Sequence, residues 1–150
     1  MKRWLLPTAQ LIVALAIIPQ ALLCSAVLGL PILLSAPQFV SQMSGPAGRF
    51  LLAGSVTCFF VVAAAVLCLF SGVALLIPSQ SHRGVRLSIA GAICYWIYVA
   101  SHLAMISTTT GGLRYGLTVW WNAIDFVIAI IVASVSFAIY ASNKKHAALD

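Results

Sequence analysis

The chain has 150 residues, of which 63% are hydrophobic and 7% charged; eight Lys and Arg against two acids give a formal net charge of +6. A soluble domain carries about a quarter charged residues, so this composition, with a mean hydropathy of +1.10, argues against a water-soluble globular protein. The basic residues are scattered between apolar runs and form no patch, which argues against a nucleic-acid-binding surface and for contacts with anionic lipid head groups.

The first apolar run covers residues 4–34 and is interrupted by Pro7, Pro19 and Pro31. A membrane span needs ~20 residues, so tilt or a kink is expected. Pro19 removes a backbone hydrogen bond near the middle, with Gln20 beside it, and is the expected kink. Met1-Lys2-Arg3 ahead of an apolar stretch also opens a signal peptide, but the run is about twice the length of an ordinary apolar signal core. Leu23 stands where a lipoprotein signal would place a small residue before Cys24. The segment is therefore expected to be a retained helix.

Three further runs follow. The second, 50–77, is closed by Pro78; the third, 87–106, precedes Thr110-Gly111-Gly112; the fourth, 117–140, ends before Asn143-Lys144-Lys145. None shows the alternation of lipid and lumen faces that a barrel strand requires. Backbone groups in hydrocarbon must be satisfied internally, which leaves helices. The expectation is one all-α domain, a four-transmembrane-helix up-down-up-down bundle with helices at about 5–34, 50–77, 87–106 and 117–140.

Charge sets the expected orientation. With the N-terminus inside, the cytoplasmic segments hold Lys2, Arg3, Arg83, Arg86, Lys144 and Lys145, whereas the outer side holds Arg49 and Arg114. This bias predicts that both termini are cytoplasmic, in a bacterial inner (plasma) membrane. Trp120 and Trp121 would then lie at the outer interface, and the outer loops, 35–48 and 107–116, are too short to fold alone.

Helices in lipid gain little from burying leucine, so small residues that admit a neighbouring backbone mark the packed faces. Helical spacing gives three such faces: Gly54, Thr57, Val61, Ala64, Cys68 and Gly72; Gly91, Tyr95, Tyr98 and His102; and Asn122, Asp125, Ala129, Ala133, Ser136 and Tyr140. Leu52 and Ile130 are expected to face lipid.

Chemistry concentrates at one place. Asp125 is the one acid inside a span, about eight residues and hence ~12 Å from the outer end, where an ionisable group is expensive unless paired. His102 and Asn122 are within reach by position, and Arg49 or Arg114 are candidate partners that could snorkel inward from the rim. This set reads either as a structural clasp or as a proton- or cation-linked site.

Other chemistries lack their residues. Cys24, Cys58, Cys68 and Cys94 contain no CxxC pair and read as small apolar residues. Haem needs a second axial ligand at the depth of His102, and zinc a cluster of ligands. The segment 108–116 lacks the residue order of a potassium filter. The chain has no Glu, which separates it from small multidrug-resistance transporters, and no second intramembrane acid, which separates it from lipoprotein signal peptidases. The sequence thus points away from an enzyme and implies no cofactor. It points to a membrane protein acting through membrane lipid, other membrane subunits or itself, as an accessory or assembly subunit. The alternative is a small transporter or channel component using Asp125 and His102.

Overall fold

The computed structural model describes residues 4–29, 46–109 and 116–147, and these are helical apart from the junctions at Trp4 and Ile77. The first helix, α1, is Leu5–Cys24 and continues through a π-helical turn, Ser25–Gly29. Pro7 falls in its first turn, where a backbone N–H has no helical partner to lose. Pro19 lies inside the helix on the exposed side. The π turn begins where the Ser25 hydroxyl donates to the Ala21 carbonyl at 2.7 Å, a back-bond that competes with the regular ladder.

The second helix, α2, is Pro46–Leu76. Extended Ile77 and the 3-10 turn Pro78–Gln80 connect it directly to α3, Ser81–Thr109. The fourth, α4, is Gly116–Ala147. Four helices are thus long and apolar enough to cross a membrane, as the hydropathy pattern predicts. Their limits differ from the apolar runs. Helix α2 starts within the expected 35–48 loop, α3 takes in the polar stretch from Ser81, and α4 runs past residue 140. A helix ends where its backbone loses partners, and polar residues in the head-group region can continue it. The expected end of the first span at residue 34 lies outside the described residues.

Helix α2 packs most extensively on α3, then α1 on α2 and α3 on α4, with α1 on α4 the smallest of these seams. One cavity of about 130 Å³ is lined by Leu6 and Pro7 of α1, Leu75 of α2, Ser81 of α3 and Asn143 of α4, so these segments lie together at one end of the bundle.

All six residues of the expected α2 face are buried, as are Gly91, Tyr95 and Tyr98 on α3. Glycine serves close approach here: a Cβ at Gly91 would lie 2.8 Å from Cys68 Sγ and 3.4 Å from the Cys68 backbone nitrogen. A Cβ at Gly72 would lie 2.6 Å from Cδ2 of Leu11, on α1. On α4, Asn122, Asp125, Ala129 and Ser136 are buried and Ala133 partly so, but Tyr140 is 47% exposed and Ile139 is buried instead. The expected face is corrected there. At 3.6 residues per turn the inward position after Ser136 can fall three or four residues on, and the apolar Ile139 takes it.

Candidate functional site: an intramembrane polar cluster

Asp125 is the centre of the bundle's hydrogen bonding. It is 1% exposed, and both carboxylate oxygens are engaged. Gln20 Nε2 of α1 donates to Oδ1 at 2.9 Å, and the Tyr98 hydroxyl of α3 donates to Oδ2 at 3.0 Å. His102 Nδ1, one turn further along α3, lies 2.9 Å from the same Oδ2. The Tyr95 hydroxyl donates to Gln20 Oε1 at 2.6 Å, so α3 reaches Asp125 both directly and through α1.

Local helix geometry explains why these side chains meet. Tyr95, Tyr98 and His102 are spaced three and four apart and share one face. Tyr98 and His102 stack with ring centroids 5.6 Å apart and planes 20° from parallel, and Tyr95 leans on Tyr98 at 5.3 Å. The stack fixes where the hydroxyl and imidazole point. Removed from water, a carboxylate is tolerated because charge-assisted hydrogen bonds surround it.

Smaller polar links hold other levels of the bundle. Thr57 Oγ1 donates to Ser101 Oγ at 3.0 Å between α2 and α3, and the Ser88 and Ser136 hydroxyls lie 2.8 Å apart between α3 and α4. Ser71 donates to the Gly84 carbonyl at 2.8 Å. The Cys58 thiol donates to the Cys24 carbonyl at 3.1 Å, and none of the four cysteines forms a disulfide within the described residues. Among the described residues no three His, Cys, Asp or Glu side chains converge as a metal site would require.

Of the residues singled out in the sequence, the structure joins His102 to Asp125. It leaves Asn122 buried beside them with neither amide atom hydrogen-bonded. Arg49 lies on α2, but its side chain is outside the described residues, as is the whole of Arg114. Sequence reasoning placed Gln20 only as a neighbour of the proline kink, and Tyr95 and Tyr98 only as members of a packed face. The available signal for Gln20 was a polar residue in mid-span, which must find a partner in hydrocarbon.

Four membrane-length helices closed around a buried carboxylate fit the class of polytopic helical membrane proteins. No protein-family model, curated protein or solved structure matches the chain.

Proposed function

We propose that the protein is a non-catalytic, up-down-up-down four-span membrane protein that works by binding another membrane subunit, with Asp125 as an internal clasp. The observation that carries this reading is an apolar cavity of about 580 Å³ on the outward side of α3 and α4. Ala92, Ala100 and Ala133 form its low points, and Trp96, Phe137 and Tyr140 its walls. Small residues between large ones are what a second transmembrane helix needs to bring its backbone close. Inside the bundle, by contrast, the Asp125 carboxylate is already engaged by Gln20, Tyr98 and His102.

The experiment is to fill the groove. Ala100→Trp and Ala133→Trp should separate the chain from its partner in mild detergent while leaving its own melting temperature unchanged. Co-migration of both variants with the same partner would end the reading. Both termini are proposed to be cytoplasmic, in a bacterial inner membrane. Reporter fusions at Asp150 and within 107–116 should then give opposite signals, and equal signals would rule out the arrangement.

A second reading is favoured by one contact, the 2.9 Å approach of His102 Nδ1 to Asp125 Oδ2. A buried acid–imidazole pair can bind a proton, as in a small proton- or cation-linked transport component. Asp125→Asn removes the ionisable acid with little change of shape, so a folded variant lacking function would favour this second reading over the first.

A further inference from the structure

The surroundings of Asp125 are lopsided. Toward Gln20 and Tyr95 the hydrogen bonds form a closed set, with Tyr95 on Gln20 Oε1 and Gln20 on the carboxylate. A neutral amide does not pass a proton onward without first tautomerising, so this branch conducts poorly. On the other side of Asp125 hydrogen-bonding capacity is left over within one helical turn, whereas the other unpartnered amide, Gln10, lies ten residues from Gln20 along α1. Asn122 is 7% exposed, and neither its Nδ2 nor its Oδ1 has a partner. His102 engages Asp125 through Nδ1, and at 13% its side chain is more exposed than that of Asp125.

Register brings these two residues to the same end of the bundle. Ser88 pairs with Ser136, and Tyr98 with Asp125, so residue numbers rise along α3 as they fall along α4. Moving from Tyr98 to His102 and from Asp125 to Asn122 therefore leads toward the same end of the bundle. The other groups facing the pair are Gln20 and the Cys24 thiol from α1, the Cys58 thiol of α2 behind Cys24, and Tyr95 and Tyr98 from α3. His102 is the one basic side chain that pairs with Asp125 among the described residues.

A buried amide in hydrocarbon needs hydrogen-bonding partners, and an internal water is held by two to four polar groups. We infer that Asn122 and His102 hold water against Asp125 and give the Asp125–His102 pair proton access from one side of the membrane only, the side where α3 ends. With a neutral imidazole, Nδ1–H donates to Oδ2 and Nε2 accepts from the water. A hydronium ion arriving through that water loses one O–H bond, Nε2 gains an N–H bond, and water plus an imidazolium–carboxylate pair remain. The inference rests on the second reading in requiring that the pair bind a proton, but it needs no transport.

The test uses the full chain with His82→Gln and His146→Gln, so that His102 is the sole histidine, reconstituted in vesicles in both orientations. Nitrogen-15 NMR of the imidazole is followed while the inner pH is clamped and the outer pH varied. One-sided access predicts two His102 populations, each following the pH of one compartment. A single population responding to both compartments would overturn it. Asn122→Leu should abolish the fast response to an outer pH jump, and Asn122→Ser, which keeps a water-binding hydroxyl, should restore it. A fast response in a folded Asn122→Leu also overturns the inference, while leaving proton binding intact. A His102 nitrogen-15 signal that does not change with the pH of either compartment removes the proton reading and the inference together. Should Asn122→Leu not fold, the count of populations in the parent protein still decides.

Discussion

The seam between α2 and α3 and the junction of α1, α3 and α4 around Asp125 hold the same bundle by different means. At the seam the contact is mainly steric: Gly91 lets the Cys68 backbone come close, and Val61, Ala64 and Cys68 are buried along the same face. At the junction it is directional: Gln20, Tyr98 and His102 all converge on one carboxylate. In water a single mechanism, burial of apolar surface, would serve both. In lipid the neighbouring solvent is as apolar as leucine, so close packing and hydrogen bonding must supply the attraction. The helices that pack most extensively add hydroxyl links, Thr57 to Ser101 and Ser71 to the Gly84 carbonyl, whereas α4, which meets its neighbours over less surface, carries the aspartate.

The contrast can be broken from either end. The largest loss is expected from Gly91→Leu, because even its first side-chain atom would sit 2.8 Å from Cys68 Sγ. Overpacking of this kind should cost about 3 kcal/mol, read as a fall in detergent unfolding stability. A stability close to that of the parent would mean that the α2–α3 seam is looser than the structure shows. Asp125→Leu comes next. It removes three hydrogen bonds worth about 0.6 kcal/mol each in a bilayer setting, or about 2 kcal/mol in all.

Asp125→Asn sharpens the comparison further. Its amide keeps one acceptor for the Tyr98 and His102 side but turns a donor toward Gln20 Nε2, so about one bond should be lost, ~0.6 kcal/mol. If the two substitutions prove equally harmful, charge rather than hydrogen bonding holds the junction. Ser88→Ala, which removes the 2.8 Å contact with Ser136, should also cost ~0.6 kcal/mol. Equilibrium unfolding in mixed micelles can resolve the two classes. The smallest effect belongs to Ile130→Ala, whose parent side chain is 58% exposed. It should stay within about 0.5 kcal/mol, whereas Ala129→Leu, next to it but fully buried, should not. A reversed order for this last pair would show that α4 is rotated.

The number of membrane-length helices and most of their inner faces are legible in the sequence for a simple reason. A bilayer allows few backbone solutions, so twenty apolar residues dictate a helix. Small residues at threes and fours then dictate which side packs, and Gly54 through Gly72 are buried as that spacing requires. Asp125 and His102 also stood out, because ionisable groups are rare in hydrocarbon. Tyr140 was misplaced because two positions after Ser136 satisfy helical spacing equally, and local pattern cannot choose between them.

The partners of Asp125 belong to tertiary structure. Gln20 lies 105 positions away in sequence, and no periodicity within α1 or α4 relates the two. What joins them is the relative height and rotation of separate helices, set by how closely the small-residue faces let them approach. The sequence determined that a carboxylate sits within one of four helices long and apolar enough to cross a membrane. Only the packed arrangement decided that Gln20 and Tyr98 donate to it, that Tyr95 braces Gln20, and that Asn122, though buried beside it, is left with both amide atoms unpaired.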